Sequence, residues 1–180
     1  MEEAKNEPKA CVIDDLGESD LGISLRSCYN CSTCTVNCPV ALETQGKFNP
    51  RTIIQLANCG FQEKLILEGK PEVWDCTMCE TCDEVCPQNV KLGEIFIRVK
   101  NTAMEMGRIP NNFKDETLQV FECGKAIPSQ AAIEKRRKLL GLPDAMAPDM
   151  NEIHAIMEDT GVKKALLKND QSPSTENKTA

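Results

Sequence analysis

Aromatic rings are scarce in this sequence. Only 4% of its 180 residues are Phe, Tyr or Trp, with a single Tyr (Tyr29) and a single Trp (Trp74). A core this poor in rings leans on Leu, Ile, Val and Met. It also leaves room for a non-protein group that fills volume and cross-links the chain. Histidine is nearly absent: His154 stands alone, so no histidine pair of the Rieske kind can form. Positive charge is in deficit. The net charge of −7 argues against a nucleic-acid partner, whose phosphates attract basic surfaces. It also gives no electrostatic pull toward an anionic membrane. No run of 18 apolar residues occurs, so no transmembrane helix is expected. The opening residues MEEAKNEPKA are polar and acidic and lack the apolar segment of a secretory signal. Alternating strand patterns are missing too.

Cysteine, by contrast, is plentiful. There are eleven, fewer than a small disulfide scaffold carries, odd in number and clustered in spacing. With no leader segment, this points to a reducing cytoplasm, where thiolates bind metals more often than they pair with each other.

Eight of the eleven fall in two cassettes, CYNCSTCTVNCP (28–39) and CTMCETCDEVCP (76–87). Each reads C-x2-C-x2-C-x3-C-P, and Cys28 to Cys76 gives a repeat of 48 residues. This is the ligand run of a [4Fe–4S] cluster. Three cysteines spaced by two residues curl a short loop around one side of a cube, and backbone N–H groups turn inward toward the sulfurs. The fourth, after a wider gap, has rotated to another face. In two-cluster ferredoxins it ligates the other cluster. The following proline fixes φ, lacks an N–H and redirects the chain. The expected ligand sets are therefore Cys28, Cys31, Cys34 and Cys86 for one cluster, and Cys38, Cys76, Cys79 and Cys82 for the other. Structural zinc uses the same residue type, but as two close pairs separated by a longer stretch. A disulfide scaffold conflicts with the compartment.

The rest of the chain is punctuated as helices. NPRTIIQLANCG (49–60) opens with Asn49 as N-cap and Pro50 at the first helical position, and stops at Gly60. FQEKLILEG follows as a second short helix. After the second cassette, Leu92, Ile95, Phe96, Val99, Ala103 and Met106 recur on one helix face, closed by Gly107 and Pro110. Further helices are expected in FKDETLQVFECG, in SQAAIEKRRKLLGLP with Ser129 as N-cap, and in NEIHAIMEDTG. The fold class is all-α.

Outside the cassettes, Cys59 and Cys123 each precede a helix-ending glycine, and buried packing is the expected role. Cys11 lies in the acidic arm as a free thiol. His154 is expected on a surface or a helix contact, and Lys135 to Lys138 (KRRK) on a solvated helix face. Ile97 and Met104 lie off the main stripe of their helix, where either the protein's own core or another chain would cover them.

Two such runs joined by a helical insert of this length resemble the α-helical ferredoxin family. The segments CYNCSTCTVNCPV, FNPRTIIQLANCG and VWDCTMCETCDEVCPQNVKLGEIFIRVKNTAMEMG look most like its heterodisulfide reductase branch, the C-type iron–sulfur subunits, and the likeness covers roughly 20–142. The C-x4-C-x2-C run of a [2Fe–2S] domain is absent, unlike in succinate dehydrogenase iron–sulfur subunits. No adjacent cysteine pair exists, unlike in glycolate oxidase-type iron–sulfur proteins. By composition, 1–18 is expected to be an irregular arm and 171–180 a disordered tail; between them the expectation is an α-helical ferredoxin domain at 19–125 with two [4Fe–4S] loops and a helical extension at 126–170. The resemblance implies a cytoplasmic electron-transfer component of an oxidoreductase, without catalytic residues of its own. Electrons would come from the flavin-containing, bifurcating A-type partner of a heterodisulfide reductase, fed by a hydrogenase or formate dehydrogenase. They would go to the cysteine-rich B-type partner, which reduces the coenzyme M–coenzyme B heterodisulfide of methanogenesis. The competing expectation is a free two-cluster ferredoxin or the iron–sulfur subunit of a related oxidoreductase.

Overall fold

A computed structural model describes residues 19–61 and 63–168. The arm at 1–18, with Cys11, and the tail at 171–180 lie outside the described residues. Among those described every regular element is helical and no strand occurs. The chain divides into two compact units between Arg108 and Ile109.

In the first unit, α1 (Asp20–Arg26) starts at Ser19, whose hydroxyl accepts from Gly22 N. The first cassette carries a one-turn helix α2 (Thr33–Val36), and its proline opens α3 (Pro39–Glu43). Helix α4 (Pro50–Asn58) begins as expected, with the Asn49 side chain accepting from Thr52 N and Pro50 at the first position. The expected helix in FQEKLILEG is instead a wider π-type turn at Glu63–Leu67. A 3-10 turn at Val73–Asp75 leads into the second cassette, with its own one-turn helix α5 (Thr81–Glu84). Helix α6 (Leu92–Glu105) closes the unit.

The core sits between α4 and α6. Ile53, Ile54 and Ala57 of α4 meet Leu92, Ile95, Phe96, Val99 and Ala103 of α6, with Leu25, Phe48, Leu65 and Val73 filling around them. Burying each large side chain stabilises the fold by about 1.5–3 kcal/mol. Phe48 and Phe96 meet edge to face at 6.4 Å. The expected face of α6 is the buried one, apart from Met106, which is half-buried against the core. Ile97 is exposed and Met104 half-buried. Side chains tie distant segments together: Ser24 Oγ accepts from Lys91 N at 2.9 Å, and Trp74 Nε1 donates to Arg108 O at 3.1 Å.

The second unit holds α7 (Asn111–Cys123), α8 (Ala131–Leu139), α9 (Met150–Asp159) and α10 (Val162–Lys168). Gly124 ends α7 at φ +70°, where a Cβ would collide with Pro148. Helix α8 is capped at Gln130, not Ser129; the Ser129 hydroxyl faces Lys125 Nζ instead, at 3.3 Å. Lys135, Arg136 and Lys138 are exposed, while Arg137 is half-buried and donates to Pro143 O at 2.8 Å. His154 stacks on Phe121 at 4.4 Å and donates from Nε2 to the Phe121 carbonyl at 2.9 Å.

Candidate metal centre

The same backbone device shapes both cassettes. Asn30 and Ser32 in the first, and Met78 and Glu80 in the second, hold positive φ of 55–72°. These are repeat-equivalent positions, and none is glycine. Left-handed residues alternating with right-handed ones turn successive N–H groups to one side, which suits an anionic guest. The strain is of the kind that clusters at functional sites. One residue later, each cassette has a threonine. Thr33 Oγ1 lies 3.2 Å from Cys31 Sγ, and Thr81 Oγ1 lies 3.4 Å from Cys79 Sγ.

Each cassette is also locked to the start of a core helix, α4 for the first and α6 for the second. Arg51 N, at the second position of α4, donates to Thr35 Oγ1 (3.4 Å), whose own hydroxyl donates to Asn49 Oδ1 (2.9 Å). Gly93 N, at the second position of α6, donates to the Asp83 carboxylate at 2.9 and 3.2 Å. Thr35 and Asp83 occupy the same place in the repeat. A Cβ on Gly93 would stand 3.0 Å from Asp83 Oδ2, so the closeness of this lock depends on glycine. Helices α2 and α5 pack against each other, bringing the cassettes side by side.

Two cavities result. The first, of about 360 Å³ including its open mouth, is lined by Cys28, Cys31, Cys34 and Cys86, with Arg51 and Ile54. The second, of about 370 Å³, is lined by Cys38, Cys76, Cys79 and Cys82, with Glu80 and Phe96. In each, three cysteines come from one cassette and the last from the other. The sulfur of each fourth cysteine accepts a backbone N–H: Ala41 N to Cys38 Sγ at 3.4 Å, and Val90 N to Cys86 Sγ at 3.3 Å. Cys38 is buried, Cys31 and Cys79 are exposed, and the other five are half-buried.

The sulfur environments differ with depth. The Thr33 and Thr81 hydroxyls hold the Cys31 and Cys79 thiols below the usual range. Burial pushes Cys34 and Cys76 up. Burial, reinforced by the Asp83 carboxylate, pushes Cys82 up to about 12. Metal entry must therefore displace protons from the deeper sulfurs.

The donor set fits an iron–sulfur cube. Four cysteines line each cavity, the number of thiolates a cube takes. Arg51 Nε is buried beside the first cavity with no hydrogen-bond partner, and an anionic cluster would satisfy it.

Cys59 and Cys123 are not brought to either cavity. Cys59 is exposed at the end of α4, against the expectation of burial. Cys123 is half-buried in the second unit, donating to Gln119 O at 3.2 Å. Sequence reasoning missed Thr33, Thr81, Thr35, Asp83 and Arg51. Aligning one cassette on the other would have flagged the first two, because C-x-T recurs at the same place in both.

The all-α fold class and the paired cassettes are those of 4Fe–4S proteins, and the family model described as "4Fe-4S dicluster domain" matches residues 24–90. That span takes in both cassettes and the helices between them. The chain belongs to the family of C-type iron–sulfur subunits of CoB–CoM heterodisulfide reductases. It is 33% identical to the C2 subunit of the H2/formate:CoB-CoM heterodisulfide,ferredoxin reductase of Methanococcus maripaludis, over 79% of this chain and 78% of that one. It is 30% identical to the second C-type iron-sulfur subunit of the CoB–CoM heterodisulfide reductase of Methanocaldococcus jannaschii, over 84% and 81%. It is also 30% identical to the C-type subunit of the ferredoxin:CoB-CoM heterodisulfide reductase of Methanosarcina mazei, over 82% and 86%.

Proposed function

We propose that this chain relays single electrons through two [4Fe–4S] clusters inside a cytoplasmic heterodisulfide reductase complex. Cys28, Cys31, Cys34 and Cys86 hold one cluster, and Cys38, Cys76, Cys79 and Cys82 the other. The observation that carries the reading is the crossed grouping, in which each cavity takes three cysteines from one cassette and one from its neighbour. When bound, each cluster accepts and returns one electron at a time.

The chain's own residues hold, insulate and tune. Ile54 and Leu92 wall the first cavity with hydrocarbon, and Phe48 and Phe96 the second. The N–H groups of Ala41 and Val90 donate to the Cys38 and Cys86 sulfurs, and the Thr33 and Thr81 hydroxyls lie within hydrogen-bond reach of Cys31 and Cys79 Sγ, where they can donate to the thiolates; such bonds stabilise the thiolate form and influence potential. Because each site draws on both cassettes, the fold and the metal form together. The chemistry on the disulfide belongs to the cysteine-rich B-type partner. The electrons arrive from the flavin-containing A-type partner, fed by hydrogenase or formate dehydrogenase. Relatives whose names include H2, formate or ferredoxin support a shared relay served by different donors. Among the described residues no helix is long and apolar enough to cross a membrane.

Purification of the native chain under argon tests this. Size-exclusion is expected to place it in a large assembly with the flavin-containing and cysteine-rich partners, and iron analysis to give about eight irons per chain. A brown protein eluting alone at its own mass of 19.9 kDa would make it a free carrier instead.

A further inference from the structure

The two cavities share a frame but not a charge. The second residue of the core helix is Arg51 of α4 at the first cavity and Gly93 of α6 at the second; one turn on, Ile54 answers to Phe96. The fifth residue of the cassette is Ser32 at the first and Glu80 at the second. Among the described residues lining each cavity, the first therefore carries one charge, positive, and the second carries one, negative.

The environment beyond the walls does not reverse this. Next to the second site, the Asp83 carboxylate lies 3.7 Å from Cys82 Sγ, and Lys100 donates to the Cys76 carbonyl at 3.0 Å. Lys100 thus offsets one of the two carboxylates and leaves the second site net negative. Arg51 is half-buried with its Nε wholly enclosed and without a partner. An enclosed cationic donor without a partner costs free energy unless an anion faces it. Each electron added to a cluster adds negative charge, so a cation beside it favours the reduced form and a carboxylate disfavours it. Arg51 is half-buried with its Nε enclosed, so its charge is less screened. Glu80 is exposed and is screened, so its effect is smaller.

We propose that Arg51 and Glu80 split the two clusters in potential. The Cys28/Cys31/Cys34/Cys86 site is the more oxidising, and a single electron passes from the second site to the first without bond making or breaking. This rests on the two-cluster reading above. Arg51 acts here by its charge, from the wall of the first cavity.

The test is a potentiometric titration of the native protein followed by electron paramagnetic resonance. Cys31→Ser and Cys79→Ser serve as tags that alter one cluster's signal each. Two reduction waves are expected, the higher belonging to the first site. Arg51→Gln should weaken reduction of the first cluster about tenfold, a shift of 59 mV to the negative for one electron, with the second wave unmoved. Arg51→Lys should retain most of the native value, and Glu80→Gln should raise the lower wave by a smaller amount. Loss of the first cluster in Arg51→Gln but not in Arg51→Lys would also support a charge role. Unmoved waves in Arg51→Gln, a higher wave tagged by Cys79→Ser, or cluster loss in both arginine variants would overturn the inference. Failure of the two-cluster reading is distinguishable, because the unaltered chain would then lack eight irons and two signals.

Discussion

The first and second cassettes have the same backbone and the same lock, built from different chemistry. In the first, a neutral hydroxyl, Thr35, meets the start of α4; in the second, a carboxylate, Asp83, meets the start of α6. The surfaces diverge in the same sense. Tyr29, Val36 and Leu42 are exposed in and just after the first cassette, whereas Glu80 and Glu84 are exposed in the second. A repeat of this kind separates two demands. Ligand geometry needs the shared frame, including left-handed φ at matching positions. Potential and docking depend on the side chains that the frame leaves free to vary.

Removing the metal should break the comparison most completely, because each cavity needs a cysteine from the other cassette. Anaerobic iron chelation is expected to strip hydrogen-exchange protection from residues 19–108 as one block. Amides in α7 to α10, which bear none of the eight ligands, should change far less. Protection lost in one cassette and kept in the other would show that the two halves fold separately.

The lock gives a smaller and graded effect. Asp83→Ala leaves Gly93 N without its acceptor at the start of α6 and should cost about 1.5–3 kcal/mol, as for hydrogen bonds to charged groups. Thr35→Val removes a neutral partner and should cost about 0.5–1.5 kcal/mol. Denaturant midpoints of the cluster-loaded variants measure both. Equal costs would mean that the charge on Asp83 adds nothing to the lock.

Much of the first unit was legible in the sequence because its signals are local. Asn49 and Pro50 announce α4, and the spacing of Leu92, Ile95, Phe96 and Val99 announces the buried face of α6. Helix α1 escapes a sequence reading although Ser19 caps it, since only Leu21 and Leu25 mark its inner side. The π-type turn at Glu63–Leu67 reads as an ordinary helix because both widths place apolar residues inward. Positive φ at Met78 and Glu80 carries no glycine to betray it. The locks join residues 16 and 10 positions apart through side chains that composition does not single out. Arg51 looks like an ordinary first-turn residue until the fold sets it in the wall of the first cavity.

Four single substitutions, Cys31→Ser, Cys79→Ser, Cys38→Ser and Cys86→Ser, with paramagnetic resonance of the cluster that survives in each, go straight to the exchange of ligands between loops. Cys38→Ser should leave the same residual spectrum as Cys79→Ser, and Cys86→Ser the same as Cys31→Ser. Spectra that instead match Cys38→Ser with Cys31→Ser, and Cys86→Ser with Cys79→Ser, would mean that each loop keeps its own fourth thiolate, and the crossed arrangement would be wrong.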